Sequence, residues 1–299
     1  MMTVAGKPIC VSQEALQHSN TRSLPGDDIA DLDQLLRQTY ALWDPGWVTF
    51  TWRAYTYDHV QRVRGLALNL CEHEAGDPLA IELASLLHDI TKPYDGEIIV
   101  DSHGKRIVDN EGFWRNHLRF PSRRNKVTEL YDSLDLRGTL HNVSSAMIAQ
   151  HLLAEYDLST DTCARISQVI RDHLHPPDEA PIESLCLFDA DTIDANIGMP
   201  SFVRNIYIHL HLHDVRREPG APTIAEILRT DPMNYLRPYI ADRLPAWVAG
   251  KQRDFIPRLR TQTGRALALE RLTRLERLFE QLAQELAGPE ETGKQGCLA

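Results

Sequence analysis

The pair His88-Asp89, closing the apolar run AIELASLLHDITK, constrains this chain more than any other feature. Its companions are spread along the sequence: His59 in YDHVQRV, His141 in LRGTLHNVS, His173 in VIRDHLH, and the acidic FDADTID. All of them sit in or beside text whose apolar residues recur three and four apart, the helical period. Imidazoles and carboxylates together make a mixed N/O donor set suited to Mn, Fe, Co, Ni or Zn. Two adjacent donors at one helix end, with the others on further helices, fit a hydrolytic metal centre built between helices. The fold class expected is therefore all-α.

A first helix begins near DDIADLDQLLRQTYALW, with Asp27 or Asp28 as N-cap and Ile29, Leu32, Leu36 and Tyr40 on one face. The next carries His59 beside the stripe Val60, Val63, Leu66, Ala67, Leu70, so His59 faces inward. Pro78 opens the third, a favourable first-turn position, and Pro93 and Gly96 are expected to stop it. From 93 to 138 the period is lost. There EIIVDSHGKRIVD reads as a β-hairpin around Ser102-His103-Gly104. Helical text resumes at TLHNVSSAMIAQHLLAEY and continues through DTCARISQVIRDHL, IESLCLFDADTIDANIG and PSFVRNIYIHLHLHDV. His209, His211 and His213 alternate inside the last of these, and helical geometry points them in different directions.

Residues 1–26 have no periodicity and read as a poorly ordered arm; 27–216 hold the core, with 93–138 as an insertion. Residues 217–288 form a helical extension, and the tail 289–299 is polar and expected to be mobile. Within the extension, Leu272, Leu275, Phe279, Leu282 and Leu286 make an apolar seam. The seam is read as packing on the protein's own core, and the alternative is a homodimer contact through this C-terminal helix.

The 299 residues carry a net charge of −10, which argues against a broad nucleic-acid surface. One local exception is Arg115, Arg119, Arg123, Arg124 and Lys126 in FWRNHLRFPSRRNKV. These are either a solvated segment or a lid that gathers phosphate, since arginine offers bidentate donors to phosphate oxygens. No apolar stretch is long enough to span a bilayer, and no signal pattern opens the chain. The five cysteines include no CxxC spacing; Cys71, Cys163 and Cys186 read as buried free thiols, which fits a reducing cytoplasm. A P-loop, a Gly-rich dinucleotide fingerprint, a GxSxG elbow and an HExxH motif are all absent.

The order His … His-Asp … Asp on helices resembles the HD superfamily of metal-dependent phosphohydrolases. The resemblance covers roughly 50–215 and rests on HVQRV, with Arg62 three after the histidine, on LASLLHDITK, with Lys92 three after the aspartate, and on DADTIDA. It implies an HD-domain helical bundle with His59, His88, Asp89 and one aspartate of the DAD text as metal ligands. Asp189 and Asp191 both stand as candidates, and the match of ADTIDA to the family's A-D-x-x-D-A favours Asp191. Asp194 would then share its face as a hydrogen-bond acceptor behind the ligands. His141 and His173 match, in order, the additional pair of relatives that bind a second metal; His175 is the alternative to His173. Lys92 is implied as a group that reaches the substrate phosphate, or else as a lysine meeting the helix dipole. Arg62 serves the same anion or pairs with Asp58 or another acid.

The resemblance implies a hydrolase that uses one or two divalent ions, with Asp89 and Lys92 at the chemistry. Arg62, Arg119, Arg123 and Arg124 would hold a small phosphorylated substrate such as a nucleotide. The GYP signature of cyclic-di-GMP phosphodiesterases is missing, and there is no room for a synthetase partner domain. Two rival readings are a di-iron oxygenase of a small organic substrate and a non-catalytic nucleotide-sensing module.

Overall fold

The computed structural model describes residues 26–44, 57–99, 101–103, 105, 107–108 and 115–287. The N-terminal arm up to residue 25, the tail from 288, Cys10 and Cys297 lie outside the described residues. The fold is all-α apart from one two-stranded antiparallel sheet.

Helix α1 (Gly26–Tyr40) starts slightly earlier than its acidic residues suggested, so Asp27 and Asp28 occupy its first turn and meet the positive end of the helix dipole. It buries Leu32, Leu36 and Tyr40. Helix α2 (Tyr57–His73) buries Val60, Val63, Ala67 and Leu70, with His59 beside them. Helix α3 (Pro78–Leu87) is capped by Asp77, whose carboxylate accepts from the amides of Leu79 and Ala80. It is the central helix: Ala80, Ile81, Leu83, Ala84, Leu86 and Leu87 are all sealed from solvent.

The end of α3 departs from the sequence expectation. The helix closes at Leu87, not at Pro93, and His88 is its C-cap. A tight turn follows, in which the Lys92 amide donates to the Asp89 carbonyl, and Pro93 sits within the 3-10 turn Lys92–Tyr94. Asp89 and Lys92 are thus brought together by a turn, not by a shared helical face.

Strand β1 (Asp95–Ile98) pairs with β2 (Asn116–Leu118), Asp95 opposite Leu118. The expected hairpin is present only further out, where the Asp101 amide donates to Lys105 and the Ile107 amide to Ile99. The sheet partner of β1 comes from the basic segment instead. Gly96 explains the close approach, because a Cβ there would lie 1.6 Å from the His117 carbonyl oxygen.

After α4 (Lys126–Ser133), helices α5 (His141–Leu153), α6 (Thr160–Asp172) and α7 (Ile182–Asn196) complete the bundle around α3. Helix α8 (Met199–Arg216) leads to α9 (Ile224–Thr230), α10 (Pro232–Pro238) and α11 (Leu244–Asp254). The long α12 (Gln262–Ala287) closes the chain. Leu272, Leu275 and Phe279 of α12 belong to the same apolar cluster as Val63, Leu70 and Leu187, so the seam is spent on the chain's own core. Cys71, Cys163 and Cys186 are buried free thiols. No helix among the described residues is long and apolar enough to cross a membrane.

Candidate metal centre

Four helix ends and one helix side deliver the polar residues of the core. His59 comes from the first turn of α2, His88 and Asp89 from the end of α3, and His141 is the first residue of α5. His173 caps the C-terminus of α6, and Asp191 lies within α7. The imidazoles encircle Asp89, with ring centroids 5.8 Å apart for His59 and His88, 5.1 Å for His88 and His173, and 5.3 Å for His141 and His173.

Asp89 divides its two oxygens between two groups. Oδ2 faces His59 Nε2 at 3.8 Å and His88 Nε2 at 3.6 Å, whereas Oδ1 faces His141 Nε2 at 3.5 Å and His173 Nε2 at 3.6 Å. Each of these sets, His59/His88/Asp89 and Asp89/His141/His173, brings its donor atoms close enough to hold one ion. Asp191 joins the first, its Oδ1 3.1 Å from His59 Nε2.

Every imidazole is oriented from behind. The Nδ1–H of His88 donates to the Ser85 carbonyl and that of His173 to the Ile170 carbonyl, both at 2.7 Å. A carbonyl can only accept, so both rings carry their proton on Nδ1 and present the Nε2 lone pair inward. His59 Nδ1 donates to Asp194 at 2.7 Å, and His141 Nδ1 to Asp95 at 2.8 Å. Carboxylate-backed imidazoles are the usual support of a metal ligand.

Residues 56–196 match the family described as HD domain. The chain carries an HD domain. Solved structures that the chain matches include a protein described as a predicted HD superfamily hydrolase from an uncultured Thermotogales bacterium. It is 20% identical with a TM-score of 0.39, the match covering 74% of this chain and 92% of that one. Bacillus subtilis YpgQ in complex with ADP is 18% identical with a TM-score of 0.42, covering 88% and 97%. An HD-superfamily hydrolase from Bacillus thuringiensis is 16% identical with a TM-score of 0.42, covering 88% and 98%. Among curated proteins none matches the chain.

HD domains bind divalent metals, and the residues present fit such a group. His88 Nε2 and Asp89 Oδ1 are buried without a hydrogen-bond partner among the described residues, an expense that cations at the two positions would remove. Burial, opposed only in part by Asp89, pushes the His88 imidazole down to about 4, so it is neutral and ready to donate a lone pair. Burial acts against charge on His59 as well, but its hydrogen bonds to the Asp191 and Asp194 carboxylates outweigh it and hold the group at about 9. That spot favours positive charge, whether carried by a proton or by a metal ion. Burial raises the Asp89 carboxyl, yet His88, His173, His141 and Lys92 together keep it well below the usual range.

The two aspartates of the DAD text point in different directions. Asp191 joins the histidines. Asp189 accepts from the amides of Arg260 and Thr261 at 2.8 Å and from the Thr261 hydroxyl at 2.7 Å, tying down the start of α12. Asp194 holds His59, the supporting position expected of it. Arg62 binds Asp194 through Nε at 2.8 Å and Nη2 at 3.0 Å, so its partner is Asp194 and not Asp58.

Lys92 stands at the rim of the HD-domain centre, 3.2 Å from Asp95 and 3.3 Å from His141 Nε2. Asp95 was not singled out in the sequence, although it lies three residues after Lys92. Burial raises its carboxyl, but Lys92 and His141 bring it to about 2, so it stays ionised and orients both. The turn is further fixed by the Thr91 hydroxyl, which meets Ser144 at 2.7 Å and Ser145 at 2.9 Å. No motif marks those small hydroxyls. Of the basic segment, Arg119 is anchored by its backbone to Tyr94 and Trp43, Arg123 donates to the Ala41 carbonyl, and Arg124 pairs with Asp132. Those contacts of Arg123 and Arg124 are to the turn after α1 and to α4. His175 is exposed, which leaves His173 as the inward residue.

Proposed function

We propose that this protein hydrolyses a phosphate ester of a small molecule, a nucleotide being the class favoured, at the centre around Asp89. The observation that carries this is the sharing of Asp89 between two buried histidine groups. Such a pair of positions is suited to the two-ion clamp of phosphoryl transfer. Divalent ions held by His59, His88, Asp89 and Asp191, and by Asp89, His141 and His173, would polarise water and phosphate oxygens there.

The chain's own residues supply the rest. Ser85 and Ile170 carbonyls and the Asp194 and Asp95 carboxylates set which nitrogen of each imidazole faces inward. The histidines and Asp89 are sealed, while Asp191, Lys92 and Asp95 keep side-chain exposures of 20%, 18% and 22%. Solvent and substrate therefore approach on the side of these three residues. A phosphate arriving there meets the Lys92 ammonium, a fixed positive charge that compensates the charge of the transferring group.

The test is a metal analysis of the isolated protein followed by a phosphatase and nucleotide screen with Mn, Co, Ni and Mg. Turnover with release of phosphate or a phosphorylated fragment is expected, and loss in Asp89→Asn. His141→Ala or His173→Ala should lower metal content from about two toward one per chain. Oxygen consumption with iron and no phosphate release would replace this reading by the oxygenase one. Inactivity under every condition would leave a binding module.

A further inference from the structure

A cavity lined by Asp194 lies between α2, the end of α7, the start of α8 and α12. We propose that this cleft binds a small amphipathic monoanion, its anionic head on Arg271 and its hydrocarbon body against the apolar wall. The cavity measures about 490 Å³, within the range of small-molecule sites. Leu66, Met199, Leu275 and Leu278 form the apolar wall, and the charged lining is Arg62, Arg271 and Arg274 with Asp194 as the one acid. None of the six residues grouped around Asp89 lines it.

Charge bookkeeping identifies the head-group position. Arg62 is spent on Asp194, and the Asp194 oxygens are taken by Arg62 and His59. Arg274 pairs with Glu270 one turn earlier on α12. Arg271 makes no hydrogen bond or ion pair among the described residues, although it is partly buried. Asp194 and Glu270 attract this guanidinium through space, but burial and Arg274 act against its charge, so a partly buried guanidinium with open hydrogen-bond donors is left to meet an anion.

Two further features converge on the same spot. Gly198 adopts φ +91°, a conformation reserved for glycine, and a Cβ there would lie 3.4 Å from Arg271 Cδ. The arginine stem thus lies flat along the turn into α8. Gly198 has no side chain with which to cap α8, and the helix begins at the cleft wall with Met199 and Pro200. A positive helix end and an unpaired arginine both favour negative charge. Met199 is 50% exposed, which keeps the mouth of the cleft apolar. A free inorganic anion would leave that surface wet, so the ligand carries a hydrocarbon body.

The probe is octanoate, titrated calorimetrically into the full-length protein, with acetate and 1-octanol as head-only and body-only controls. One octanoate per chain is expected, binding at least about tenfold more tightly than either control. Arg271→Gln should weaken octanoate by about tenfold or more, as loss of a charged hydrogen-bonding partner does. Met199→Trp, at a half-exposed position that tolerates change, should block the mouth and weaken it comparably; it decides the question if Arg271→Gln does not fold. Equal binding of octanoate and acetate, unchanged affinity in either folded variant, or no octanoate binding overturns the proposal.

Discussion

Asp194 does more than its distance from the Asp89 centre suggests. One oxygen accepts from His59 Nδ1 and the pair of them from Arg62, so the carboxylate fixes a ligand imidazole while its own charge is neutralised. Asp194→Asn keeps the shape but removes the charge that locks the ring. Metal affinity should fall about 10–100-fold, read by competition against a chelating dye, with the fold intact by circular dichroism. An unchanged affinity would mean that the ring is held by packing alone. On α11, Lys251 lies over the rings of Trp247 and Phe255, and burial, aided by Arg204, lowers its pKa from 10.5 to about 8. The folded state therefore disfavours the charged ammonium. Stability associated with this group is present above pH 10.5 and is lost as pH falls through about 8. Lys251→Met should raise the urea midpoint at pH 7, and its advantage should shrink as pH climbs toward 10.5. A pH-independent difference would point to packing as its source.

Secondary elements in this protein act mainly through their ends. Helix termini are where backbone donors and acceptors lack intrahelical partners, so a side chain placed there can be locked by a nearby carbonyl. His88 and His173, each at a C-terminus, bond the carbonyl three residues earlier and turn the other nitrogen inward. The same economy attaches α12. Asp189 of α7 binds the two amides and the hydroxyl before that helix, and Gly264 passes so close that a Cβ would sit 2.4 Å from Asp189 Oδ2 and 2.7 Å from Thr261 Oγ1. In an exposed helix Gly→Ala stabilises by about 1 kcal/mol. Here the held carboxylate cannot move without breaking its bonds, so Gly264→Ala should destabilise by about 1–3 kcal/mol in urea unfolding. A stabilised variant would show that Asp189 yields. Helices were readable from apolar period alone, whereas the partner of β1 was not: EIIVDSHGKRIVD is self-complementary locally, and pairing with Asn116–Leu118 depends on the close passage at Gly96.

At the scale of the whole molecule, one apolar cluster runs from α1 to α12, with the Asp89 centre at its middle. Buried unsatisfied donors and acceptors weaken such a core, and an ion that binds only the folded chain should stabilise it. Protein stripped with a chelator should melt lower, and restoring Mn or Co at about a hundredfold over the dissociation constant should return about 2.7 kcal/mol, seen calorimetrically. A melting temperature indifferent to metal would detach the centre from the fold.

The all-α class and the inward faces of α1 and α2 were legible in the sequence because each depends on local period, while the histidines and Asp89 were singled out by the order they share with the HD superfamily. Direction within a pair was not legible. Asp189 and Asp191 differ by two positions, which on a helix turns them to different sides, and only the packed neighbours reveal that one holds α12 and the other faces His59. Asp95 and the Arg123 and Arg124 contacts were equally hidden, since their partners, His141, Ala41 and Asp132, are set by how a turn and an insertion fold back. Residue chemistry travels with the sequence; the choice of partner comes from three-dimensional proximity, which only the tertiary structure supplies.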